Sequence, residues 1–116
     1  MRIAVIDGQG GGVGKALVEK LRQTFGKDVH ITALGTNSAA TSLMLKAGAD
    51  DGATGENSVV VNANKVDIIM GALGIISANS MLGEITPTMA SAIGESDAQK
   101  ILIPINKCNL TVIGVK

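Results

Sequence analysis

Short, unbroken apolar runs alternate with stretches of helical spacing, and glycine marks most of the joints between them. Residues 3–6 form the first run. They end at Asp7-Gly8 and read as a buried strand. Residues 12–25 follow with Val13, Leu17, Leu21 and Phe25 at helical intervals and Ala16 beside them. Lys15, Glu19, Arg22 and Gln23 fall largely on the other side, so this is an amphipathic helix stopped by Gly26. Residues 29–34 are a second strand. Residues 39–47 are a second helix, with Asn37 or Ser38 as cap and Gly48 as stop. A very short third strand is expected at 52–54. Residues 58–64 carry three valines, which favour a strand, but their place between two parallel strands favours a short helix. Residues 67–70 are the fourth strand, and 74–83 an apolar loop or short helix. Thr86 caps a helix that opens with Pro87 at its first position and runs to Gly94. Residues 100–105 and 110–115 are two more strands. Residues 106–109 are too short for a crossover between them, so the pair is expected as an antiparallel hairpin at the sheet edge.

This pattern predicts one α/β domain over residues 1–116. The expected build is a three-layer sandwich around a mostly parallel sheet, in an order near 3-2-1-4-5. Composition sharpens the picture. Phe25 is the one aromatic residue, yet 46% of the chain is hydrophobic, so the core must be aliphatic, as suits strands buried on both faces. A formal net charge of zero offers no electrostatic footprint for nucleic acid. The single cysteine, Cys108, excludes an internal disulfide and fits a reducing cytoplasm. No leader is evident, because the first apolar run stops at Asp7. The most apolar uncharged run, 68–83, is shorter than the ~20 residues of a membrane span, so no membrane role is expected.

The chemistry centres on the loop after the first strand, which holds Gly8, Gly10, Gly11, Gly12 and Gly14. Glycine lets backbone approach a phosphate closely, and a helix N-terminus offers unpaired N–H groups and partial positive charge. The bland alternative is a tight turn with no ligand. Gly8, Gly12 and Gly14 make a G-x-x-x-G-x-G spacing that resembles the cofactor loop of short-chain dehydrogenases, although that strand usually ends in Thr where Asp7 stands here. The resemblance covers about the first 21 residues. Those enzymes use a Tyr–Lys pair, and this chain has no tyrosine. The end of the second strand also lacks the acid that holds an NAD ribose. Gly35, Thr36, Asn37 and Ser38 stand there instead, as ribose contacts or as helix-capping residues. Gly11 to Lys15 resembles the core of the deviant phosphate loop of partitioning-type ATPases. Gly10 replaces its signature lysine and Ala16 its Mg²⁺-binding hydroxyl, which argues against ATP hydrolysis.

Other candidates have bland alternatives. Asp7 is expected to accept N–H bonds from the glycine loop rather than hold a metal. Asp50, Asp51 and Glu56 lack Ca²⁺-loop spacing and read as a solvated loop, and His30 reads as structural. Cys108 beside Lys107 has no Cys/His arrangement around it. Gly71 and Gly74 leave the fourth strand beside the glycine loop, at the crevice where doubly wound sheets bind ligands. Ile75, Ile76, Met81 and Leu82 follow as a candidate subunit interface.

Taken whole, the chain resembles a family of short bacterial proteins of unknown function. The matching stretches are VIDGQGGGVGKALVEKL, ALGTNSAATSLMLKAGAD, ATGEN, SMLGEITP and ILIPINKCN. The resemblance implies a Rossmann-like fold and no established activity. It draws attention to Glu84, a contact for a ribose or partner, or a capping acid before the Thr86 helix. The expected function is a small, non-catalytic nucleotide- or dinucleotide-binding module that takes NAD(P) or another adenine nucleotide. Gly8, Gln9, Gly10, Gly11, Gly12 and Val13 would contact the cofactor, the N–H groups of Gly10 to Val13 cradling phosphate, with Gly35, Thr36, Asn37 and Ser38 at the ribose and Gly71 and Gly74 as the far wall. A homo-oligomer is expected. The alternatives are an NAD(P)-dependent reductase completed by a partner chain, with Lys15, Lys107 or Cys108 as proton donor, and an oligomeric structural protein with a vestigial loop.

Overall fold

The first strand alternates its side chains between two apolar faces, and the rest of the molecule is layered on that alternation. In the computed structural model, which describes residues 1–105 and 109–114, β1 (Arg2–Asp7) sends Ile3 and Val5 to one side and Ala4 and Ile6 to the other. Helices α1 (Gly12–Phe25) and α2 (Ser38–Ala47) cover the first face with Val18, Leu21 and Met44. Helices α3 (Glu56–Asn62) and α4 (Pro87–Glu95) cover the second with Val59, Met89, Ala90 and Ile93.

Strands β2 (His30–Gly35), β3 (Asp51–Thr54), β4 (Ile68–Ala72) and β5 (Gln99–Ile103) complete a five-stranded sheet in the order β3-β2-β1-β4-β5. Every pairing is parallel. The order is the one expected from the sequence, but the antiparallel edge hairpin is not formed. β5 pairs parallel with β4, and residues 109–114 carry no strand. Pro104 directly follows β5 and has no N–H to donate to a ladder, and Asn109 sits at a left-handed φ of 58°. The predicted turn residues Asn106, Lys107 and Cys108, and Val115 of the predicted last strand, lie outside the described residues.

The capping chemistry is local. The Asn37 side chain accepts from the Ala40 N–H at 2.8 Å, and Thr86 Oγ1 accepts from the Met89 N–H at 3.1 Å with Pro87 inside the first turn. Of the face expected from spacing, Val13, Leu17, Leu21 and Phe25 with Ala16 beside them, Leu21 is buried and Leu17 packs on the core, but Phe25 is 48% exposed, and Gly14 and Val18 complete the buried face. The helix turns its smallest residue to the sheet, which seats it close to β1. At the end of the sheet opposite the glycine loop, the Arg22 guanidinium donates to the carbonyls of Gly48 at 2.7 Å, Gly26 at 2.8 Å and Val29 at 3.0 Å, and pairs with Asp50.

Candidate functional site

The chain adds β2 and β3 on one side of β1, then β4 and β5 on the other. A crevice opens where such an order switches direction, beyond the C-terminal ends of the central strands. Asp7 ends β1 at this point and is 4% exposed. Its Oδ1 accepts the Gly8 N–H at 2.8 Å and its Oδ2 the Gly14 N–H at 2.6 Å. Asp7 thereby ties both ends of the glycine loop, as expected from the sequence. Burial pushes its pKa above the usual carboxylate range, against the pull of those two N–H bonds.

The five loop glycines divide into two groups. A Cβ on Gly11 would lie 2.9 Å from the Ala40 Cα, and one on Gly14 would lie 2.9 Å from the Asp7 Cβ and 2.5 Å from the Met44 sulfur. Gly11 also caps α1 at a left-handed φ of 77°. A Cβ on Gly8 would press on Thr36, Glu84 and Met81. Folding itself requires these three to be small. Among the described residues, a Cβ on Gly10 or Gly12 would meet nothing within 4 Å, and neither glycine has a positive φ. Among the described residues, the N–H groups of Gly10, Gly12 and Val13 have no hydrogen-bond partner.

These groups border a cavity of about 560 Å³. Asp7, Gly8, Gln9, Gly10, Gly11, Gly12 and Val13 line it from the β1 side, and Ala72, Gly74, Ser80, Met81, Leu82 and Ile105 from the β4 side. The structure thus brings together the whole predicted phosphate loop and Gly74. It leaves Gly35, Thr36, Asn37, Ser38 and Gly71 outside the lining. Gly35 is small because a Cβ there would lie 2.7 Å from the Asn37 carbonyl, and Gly71 because one would lie 2.7 Å from the Ile6 carbonyl. Asn37 caps α2, and Ser38 is its exposed first residue.

The far wall is a strap between the 3₁₀ turn Leu73–Ile76 and α4. Ser80 Oγ donates to the Gly74 carbonyl at 2.5 Å, and the Asn79 N–H donates to the Ile85 carbonyl at 2.7 Å. Asn79, Met81, Leu82 and Gly83 all have left-handed φ values, of 67°, 57°, 56° and 91°. The strap carries Glu84 back over β1. Glu84 Oε1 accepts from Thr36 Oγ1 at 2.5 Å, the Gln9 N–H at 2.8 Å and Asn37 Nδ2 at 3.0 Å. The Thr36 hydroxyl and the Gln9 N–H hold its carboxyl below the usual range. Glu84 is therefore no cap for α4. The family resemblance drew attention to it, and it is the one charge between residues 68 and 94, but its three donors lie far away in the chain.

The remaining candidates are accounted for locally. No group of three metal-capable side chains occurs among the described residues. Asp50 accepts the Ile31 N–H and pairs with Arg22, which lowers its pKa, the Ile31 bond contributing most. Glu56 accepts from Thr86 Oγ1 at 2.5 Å. His30 does have a partner, Asp51, at 3.1 Å. Among the described residues no helix is long and apolar enough to cross a membrane.

No curated protein matches the chain. Among solved structures, a universal stress protein in complex with cAMP aligns with a TM-score of 0.45 at 17% identity, covering 86% of this chain and 94% of that one. The glycine-loop α/β protein described here belongs to the family defined as domain of unknown function DUF3842, whose model matches residues 2–116.

Proposed function

We propose that this chain is a nucleotide-binding module whose phosphate site is the glycine loop and the first turn of α1. The observation that carries the reading is the pair Gly10 and Gly12. Nothing among the described residues requires them to be small, and they stand beside N–H groups without a partner among those residues, at the rim of a cavity. Glycine costs conformational entropy on folding, so glycines that packing does not demand leave close approach of a ligand as their use. The cavity volume of about 560 Å³ falls within the range of small-molecule sites. The adenine nucleotides, NAD(P) among them, are the ligand class.

Binding without catalysis is favoured by how the lining is used. Asp7 is spent on the Gly8 and Gly14 N–H groups and Ser80 on the Gly74 carbonyl. We also infer a second copy of this chain as partner, from Leu82, 98% exposed on the strap at the cavity rim.

The test is thermal unfolding of wild type, Gly12→Ala and Gly12→Asp with AMP, ADP, ATP, NAD and NADP. A ligand at ~100 times its Kd adds about 2.7 kcal/mol, a rise in Tm on the order of 10 °C at this size. The expected result is a selective rise in wild type, a smaller one in Gly12→Ala and none in Gly12→Asp, with unliganded Gly12→Ala unfolding as wild type does. A Gly12→Asp protein that binds like wild type defeats the reading.

A further inference from the structure

The crevice beyond β1 has two sides, and the cavity lies on one of them. A dinucleotide site on a sheet of this order straddles the central strand, with one nucleoside on each side of the pyrophosphate. Here the cavity extends from the glycine loop toward β4, over Ala72, Gly74, Met81 and Ile105. The residues at the β2 end, Gly35 to Ser38, do not line that cavity. Glu84 stands there, and its Oε1 takes the Thr36 hydroxyl, the Asn37 amide and the Gln9 N–H together. Those are the polar groups a ribose on the β2 side would use. The position above Gly8 is filled as well, since Glu84 Oε1 and Met81 Sδ lie 2.9 and 3.0 Å from where its Cβ would be.

From this division, which rests on the nucleotide reading above, we propose that Glu84 is a specificity residue that plugs the β2 half of the crevice and fits the site to a mononucleotide rather than a dinucleotide. The phosphate would take the N–H groups of Gly10, Gly12 and Val13. The nucleoside would lie toward β4 against Met81, Leu82 and Ile105. The second nucleoside of a dinucleotide then has no wall to rest on and adds nothing to affinity. The strained strap is what makes the plug possible. Its run of left-handed residues turns the chain back so that Glu84 can reach Thr36 and Asn37.

Isothermal titration of the full chain with AMP and with NAD separates the outcomes. Wild type is expected to bind NAD no more tightly than AMP, within about threefold. Glu84→Ala empties the β2 side and is expected to move the ratio at least about tenfold toward NAD, a difference of ~1.4 kcal/mol. Glu84→Gln keeps the plug's shape and is expected to hold the wild-type ratio. Wild type binding NAD about tenfold more tightly than AMP overturns the plug while leaving the phosphate site standing, and so does a folded Glu84→Ala whose ratio does not move. If Glu84→Ala does not fold, the wild-type ratio decides alone. Silence with both ligands overturns the nucleotide reading itself and the plug with it.

Discussion

Asp7 and Glu84 both accept N–H groups of the glycine loop and respond to acid in opposite directions. The folded pKa of Asp7 is raised, first by burial, so the stability linked to it is complete below the usual carboxylate range and is lost as pH rises through the raised value. The folded pKa of Glu84 is depressed, first by the Thr36 hydroxyl, so its stability is present above the usual range and is lost as pH falls through the depressed value. Urea unfolding from about pH 3 to pH 7 should separate them. For the buried Asp7, each pH unit between its folded and unfolded pKa carries ~1.4 kcal/mol. Asp7→Asn is expected to flatten the upper part of the curve and Glu84→Gln the lower part. A wild-type curve without a decline above the ordinary Asp range would contradict the Asp7 assignment. Asp7 was legible in sequence because its partners lie in the loop that follows it. The division of the glycines was not, because Ala40 and Met44, which crowd Gly11 and Gly14, come from α2. In sequence, Thr36 and Asn37 suit ribose contacts and caps equally. Asn37 is a cap, and both also bond Glu84.

Among the elements, the strap concentrates backbone strain. A non-glycine residue in the left-handed region costs roughly 1–2 kcal/mol, and asparagine tolerates that region better than leucine. Leu82 is at φ 56° with 98% of its surface exposed, so leucine there gains almost nothing from burial. Leu82→Asn is therefore expected to stabilise the monomer by about 0.5–1 kcal/mol in urea unfolding. With unfolding followed at a concentration where sedimentation shows a monomer, a destabilised variant would mean that the leucine packs within its own chain. Periodicity could not reveal the strap, because four residues of left-handed backbone leave no repeating pattern. The helix at α3 was legible only through topology. Val59, Val60 and Val61 favour a strand, yet the connection between parallel neighbours overrides them, and Val59 alone is buried. The C-terminal hairpin failed for the opposite reason. Residues 110–115 have the composition of a strand, but composition does not supply a partner, and Pro104 removes a donor where the ladder would have had to continue.

For the whole molecule, the order 3-2-1-4-5 was readable because buried parallel strands leave apolar runs joined by helix-length connections. What covers the molecule was less readable. The sheet ends at β5, whose Ile101 is 44% exposed, and the strap presents Leu82. Sedimentation velocity is expected to show a dimer that Leu82→Asn weakens. A wild-type monomer at all concentrations would remove the second copy from the proposal and leave the ligand site untouched.

Arg22 gives the two ends of the sheet different mechanical characters. One guanidinium gathers the exits of α1 and α2 and the approaches to β2 and β3 into a single knot far from the glycine loop. At the opposite end the Asp7 carboxylate ties the two ends of the glycine loop, and the Glu84 carboxylate reaches across from the bent strap to Gln9 and Thr36. The molecule is clamped at its base like a vise with its jaws upward. The Arg22 knot fixes the approaches to β2 and β3 at that base, through the Val29 carbonyl and Asp50.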